Sequence, residues 1–270
     1  MWIVFAAVVV VGVALLSVAG LLVFRRVARD HLGTNDVAGL LFGAVGILYG
    51  ALLAFIVFAT WEGYSGAEHA VTAEGADVIA VYRDTQDFPS PFREQTQAAL
   101  RTYVANVMAN EWASHGTLIA HTTPDLLNPV WDLYRAVGPS DVRGEARYSA
   151  ATERLHELER QRHLRHLSGE QTLPDIFWPV LILGSVIIVV FSFLFYQENV
   201  IGQAAMIGLL GALLSMVLLL IFSLNQPFTG PIPVSQQPLR HALAQFDVID
   251  LPSPGQSPSP SLMPMPMPSP

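Results

Sequence analysis

The sequence predicts an all-α membrane protein: a four-span transmembrane helical bundle with a helical extramembrane domain inserted between spans two and three. Three observations carry this. Apolar residues make up 52% of the 270-residue chain and charged residues only 13%, about half the charged share usual for a soluble domain. The apolar residues fall in four uncharged blocks, Met1 to Phe24, Val37 to Trp61, Ile176 to Gln197 and Ala204 to Leu224. Each is long enough to cross a bilayer as a helix, for which roughly 20 residues suffice. Between the second and third blocks lies a polar, net acidic segment, Glu62 to Leu173, whose apolar residues recur at helical spacing.

The first hairpin occupies residues 1–61. Its first block has no charged region before it and no small-residue cleavage site after it, and it runs straight into Arg25 and Arg26, so it is expected to be a retained span and not a signal peptide. The linker Arg25 to Asp36 is too short to be a domain. Arg25, Arg26 and Arg29 crowd it, and the positive-inside rule then favours a cytoplasmic linker, with the large domain and both termini on the extracytoplasmic side of the cell membrane. Arg160, Arg162, Arg165 and Arg240, on the other side of the spans, argue the opposite way.

No proline follows Trp61 for more than two dozen residues, and Tyr64, Ala67, Val71, Val78 and Tyr82 keep a helical stripe. Span two is therefore expected to continue as one helix to about Asp84. A helix from Leu40 to Asp84 is on the order of 65 Å long, which must project from the membrane. It opens the acidic helical domain, 62–173. Thr85 to Pro91 ends that helix, and Pro91 is placed to begin the next, whose stripe is Leu100, Tyr103, Val104, Val107, Met108 and Trp112. A short third helix, Asp125 to Val137, stops at Gly138-Pro139-Ser140, and a fourth, Glu145 to His166, closes the bundle with Tyr148, Ala151, Leu155 and Leu158.

Gln171 to Pro174 leads into the second transmembrane hairpin, 174–224, where Trp178 sits as an interfacial anchor. Residues 225–251 read as an extended proline-rich stretch followed by a short amphipathic helix, Pro238 to Phe246, with Leu239, Leu243 and Phe246 aligned. The last 19 residues, 252–270, hold eight prolines and five serines. Such a tail has too little apolar surface to fold and is expected to be disordered.

Composition excludes several kinds of chemistry. The chain has no cysteine, which removes disulfides, thiolate catalysis and cysteine metal sites. Its net charge of −8 has the wrong sign for nucleic acid. No catalytic grouping, phosphate loop or cofactor motif stands out, so neither enzymatic activity nor a cofactor is expected. The spans contain no Asp, Glu, Arg or His, the residues by which pumps and coupled transporters bind or relay ions.

Two patterns remain. In span two, Gly39, Gly43, Gly46, Gly50 and Ala54 fall on one helix face, and Val57 and Trp61 extend it. That face serves either close helix packing, which small residues permit, or the wall of an axial pore built by several subunits. A weaker small patch, Gly208, Gly211, Ala212 and Ser215, reads as packing alone. The second pattern is a stripe of His156, Glu159, His163, His166 and Glu170. These are metal-ligand types, but sites from a single helix are rare. The favoured reading is a solvated face with ion pairs among Glu157, Glu159, Arg160, Arg162 and Arg165, and no metal.

Three stretches of the chain carry a resemblance. They are Ile47 to Asp84, the run LPDIFWPVLILGS with Leu173, Pro174, Trp178 and Gly184, and Pro227, Phe228 and Gly230 with the following VSQQPLRHAL. Together they cover about residues 40 to 248, and they resemble the bestrophin-like domain family of bacterial membrane proteins. Members often carry a basic residue just after the tryptophan and glutamate that end span two, where this chain has Gly63. The family is distantly similar to bestrophins, pentameric anion channels whose second span lines the pore and whose helical domain continues the conduit. No counterpart of their calcium-binding acidic cluster is present. What the resemblance implies is a homo-oligomeric, passive anion channel in the lipid bilayer. The alternative is a non-conducting accessory or scaffold subunit that docks other membrane-complex subunits through its acidic domain and tail.

Overall fold

The computed structural model describes residues 2–27, 36–112, 126–138, 142–170, 172–195, 197 and 199–251. The tail 252–270 and the start of the expected third domain helix, at Asp125, lie outside the described residues. Eight α-helices are present among those described, with no strand. They are α1 (Trp2–Val27), α2 (Asp36–Asp84), α3 (Phe92–Asn106), α4 (Asn128–Val137), α5 (Val142–Glu170), α6 (Phe177–Ser192), α7 (Val200–Leu224) and α8 (Gln237–Ile249).

Three of these, α1, α2 and α7, are long and apolar enough to cross a membrane. The third expected span is shorter than its hydropathy implies. α6 has 16 residues, about 24 Å of helix, where the apolar block runs on to Gln197. The chain leaves the helix at Phe193 and turns its ring onto α1, where it lies 3.2 Å from the position a Cβ on Gly20 would take. Phe193 closes a small core with Leu21 and Ile207.

α1 packs along α7 through small residues. Cβ atoms built on Gly208 and Gly211 would stand 3.3 Å from Val18 and 3.2 Å from the Ser17 Cβ, so the four-residue patch in α7 allows close approach. α2 meets α6 and α7 through Leu53 and Ile56 against Leu181, Ile188, Leu214 and Ile221. Its tightest contact is Tyr49, whose ring occupies the space a side chain at Gly184 would need. The Tyr49 hydroxyl lies 2.7 Å from Ser185 Oγ.

Three tryptophans mark one level of the bundle. Trp2 begins α1 and lies 6.2 Å from Phe222, Trp178 begins α6 and lies 6.0 Å from the same ring, and Trp61 stands where α2 leaves the apolar zone. Amphipathic indoles at one height are the signature of a membrane interface. Beyond that level α2 continues unbroken, and its 49 residues amount to about 74 Å.

The half of α2 beyond Trp61 is the spine of a helical domain. Ala67, Val71, Val78, Val81 and Tyr82 are buried against Leu100, Tyr103 and Val104 of α3, Val130 and Tyr134 of α4, and Ala151, Leu155 and Leu158 of α5. α3 passes into a π-helical turn, Val107–Glu111. The C-terminal segment joins the same core through Phe228, Val234, Leu239, Ala242 and Phe246. α8 is latched there. Phe246 stacks on Tyr82 at 3.9 Å, the Tyr82 hydroxyl donates to Asp250 at 2.6 Å, and Arg101 pairs with Asp247 and Asp250. Burial and the Asp250 carboxylate push the Tyr82 hydroxyl up to about 12.

Candidate functional site

α2 presents two unlike faces within the apolar zone. Leu53, Ile56 and Thr60 are buried, whereas the face of Gly39, Gly43, Gly46, Gly50, Ala54, Val57 and Trp61 is open over its glycines and joins the core through the half-buried Val57. Among the described residues no atom lies within 4 Å of a Cβ placed on Gly43, Gly46 or Gly50, and Gly39 meets only the Phe195 ring at 3.8 Å. Ala54 is exposed, Val57 half-buried, and Trp61 exposed beside Tyr64 at 6.2 Å. Packing within one chain therefore does not account for the glycines. The helix backbone lies bare along three turns.

The same face runs on past the apolar zone. Glu68, Thr72, Gly75 and Ile79 continue it and, with the start of α8, line an open groove of about 920 Å³. Pro238 comes so near that a Cβ on Gly75 would sit 3.0 Å away, a close approach only glycine admits. Where α2 leaves the apolar zone, a second recess of about 490 Å³ is walled by Glu62, Gly63, Tyr64, Leu173, Pro174, Asn225 and Pro227 among others. The Leu173 N–H donates to Asn225 Oδ1 at 2.5 Å, tying the start of the second hairpin to its end. Phe228 then inserts edge-on against Trp112 at 5.3 Å. Three stretches far apart in sequence thus meet where α2 leaves the apolar zone.

The family model of the Bestrophin-like domain matches residues 9–239. The chain belongs to the bestrophin-like domain family. No curated protein and no solved structure matches it. The residues that carried the resemblance are the ones just described: the exit of α2, the Leu173-Pro174 entrance to α6, and the Pro227 to Gly230 turn.

The histidine stripe of this bestrophin-like chain is not one solvated face. His156 lies 3.8 Å from Glu159 and 4.5 Å from the Trp131 ring, and His163 and Glu170 are exposed. His166 instead turns inward to the Glu111 carboxylate at 3.3 Å. Among the described residues no group of three or more His, Asp or Glu could hold a metal ion.

Of the expected ion pairs on that face, Arg160 does pair with Glu157. Arg162 and Arg165 do not belong to it. Arg165 is fully buried, with its Nε 2.5 Å from Glu74 Oε2 and its Nη2 2.8 Å from Glu111 Oε2. Arg162 reaches Glu111 Oε1 at 2.7 Å, and the Tyr103 hydroxyl donates to Glu74. Burial works against the Glu111 charge, but the His166 hydrogen bond and the Arg165 and Arg162 guanidinia outweigh it and hold the carboxyl well below its ordinary value. Tyr103 is pushed far up by its own burial and by Glu74. The cluster pins α2, α5 and the π-helical turn together at one height. It is structural, and charge composition concealed it.

Proposed function

We propose that this chain is one subunit of a homo-oligomeric, four-span membrane protein that passes small anions passively, with the bare face of α2 turned towards a shared axis. The observation that carries the reading is the contrast between the two faces of α2. A monomer would leave helix backbone open to lipid along Gly43, Gly46 and Gly50, where small residues in membranes normally permit a neighbour to approach. A ring of copies covers the flanks of that face and leaves its crest as a narrow lining. α6, uncharged throughout its 16 residues, serves as the fourth span by local thinning of the bilayer. The preference for anions follows from the family resemblance, and the absence of ionisable residues from the spans supports passive flow.

The direct test pairs particle size with flux. The purified chain should run in mild detergent as a symmetric multimer with an axial hole and conduct chloride in proteoliposomes. A monomer that copurifies with unrelated subunits and passes no anion across pH and calcium would instead support an accessory role in a larger complex.

The arginine-rich linker is proposed to face the cytoplasm, with the domain and both termini outside. The chain has no cysteine, so a single Ser149→Cys variant, at an exposed position on α5, reports the side. Labelling by an impermeant thiol reagent in intact cells is expected. Protection that disappears only on lysis would reverse the assignment.

A further inference from the structure

The end of the transmembrane bundle remote from the extramembrane domain holds a groove of about 570 Å³, lined by Ala19, Leu22, Val23, Arg25, Arg26 and Val200. Its walls are apolar and outward-facing: Leu22 is 47%, Val23 63% and Val200 42% exposed. One rim is fixed. Arg25 donates to the Gln197 carbonyl and to Gln203 Oε1, and the buried Gln203 donates in turn to the Phe195 carbonyl at 2.6 Å. These contacts tie the end of α1 to the turn between α6 and α7. Arg26 differs: it is exposed and forms no ion pair with any described residue.

Depth along α1 assigns a position to that guanidinium. Trp2 lies at the level of the aromatic belt, and 24 residues of helix separate it from Arg26, about 36 Å. That distance exceeds the roughly 30 Å hydrocarbon core and falls short of the roughly 40–45 Å headgroup-to-headgroup thickness. Arg26 thus stands at the height of lipid phosphates in the leaflet opposite the domain, above Val23 and Val200 at the edge of the hydrocarbon core and Ala19 and Leu22 at acyl-chain depth.

We propose that this groove seats one anionic phospholipid, its phosphate on Arg26 and its chains along Ala19, Leu22, Val23 and Val200. A free aqueous anion would gain nothing from the apolar walls. A zwitterionic headgroup would bring its own ammonium to compete for the phosphate, whereas an anionic one leaves a net charge for the guanidinium.

Native mass spectrometry of the full chain, with phosphatidylglycerol or phosphatidylcholine added to the detergent, provides the test. Phosphatidylglycerol should be retained about fivefold more tightly, the worth of one arginine at a lipid surface. Arg26→Gln should erase that preference and Arg26→Lys should keep it. Ala19→Trp, which fills the groove and leaves the charge, should weaken retention of both lipids, while Arg240→Gln in α8 should change nothing. Equal retention of the two lipids by the unaltered chain, an Arg26→Gln variant that keeps the preference, or an Ala19→Trp variant that binds as before would each overturn the proposal. So would displacement of phosphatidylglycerol by millimolar inorganic phosphate, which would mark a free-anion site.

Discussion

Replacing Arg165 by methionine is expected to destabilise the helical domain by about 3–5 kcal/mol, because it leaves the buried Glu74 carboxylate with only the Tyr103 hydroxyl, near a Glu111 that retains Arg162 and His166. For a chain of this size the loss corresponds to a fall in the thermal midpoint on the order of 10 °C. Arg160→Met, which breaks only the exposed pair with Glu157, should leave the midpoint where it was. Adding Glu74→Leu to Arg165→Met should restore part of the loss, since the worst uncompensated charge is then gone. A single Arg165→Met variant that melts like the unaltered protein would mean that water reaches the cluster after all. Acid acts on the same group. The Glu111 carboxyl is held below its ordinary 4.5, so its contribution is fully present above that pH and is lost as the pH falls towards the folded value.

Changing Gly50 to leucine should abolish or strongly reduce chloride flux while leaving the oligomer at its normal size. Among the described residues nothing lies within 4 Å of the new Cβ, so the substitution displaces none of them, and its bulk is delivered to whatever the bare face adjoins. If that is an axis, each copy narrows the pathway at the same height. If it is a neighbouring helix, the variant should dissociate or express poorly. Gly184→Leu is the reference for a true intrachain clash. The Tyr49 ring already fills that space, so this variant should fail to assemble whether or not the protein conducts. Size-exclusion chromatography followed by flux in proteoliposomes separates all three cases.

The long helix was legible because its signal is local: no proline after Trp61 and an apolar stripe that never changes period. That α6 is shorter than its apolar block was not legible, because hydropathy does not distinguish an apolar helix from an apolar turn. Phe193 is as greasy in the turn against Gly20 as it would be in a lipid-facing helix. That the glycines of α2 share one face follows from spacing alone. What lies opposite it depends on neighbours, and spacing is silent on those. The buried cluster had a signal that went unread. Glu74 falls between Val71 and Val78, and Arg165 falls seven residues after Leu158, so both occupy core register positions. Charge composition assigns arginines to water by default, and only the register contradicts it.

The unbroken course of α2 has a mechanical consequence. A helix with no proline and no hinge over 49 residues behaves as a torsion bar: a twist applied at one end arrives at the other. The salt-bridge cluster grips this bar at Glu74, and the latch of α8 grips it at Tyr82. A roll of about 20° reaching Gly50 would shift its backbone by about 0.8 Å, given a Cα radius of about 2.3 Å. The helical domain beyond Trp61 and the glycine face of the apolar segment are thus carried on one shaft, with no break in the helix between them.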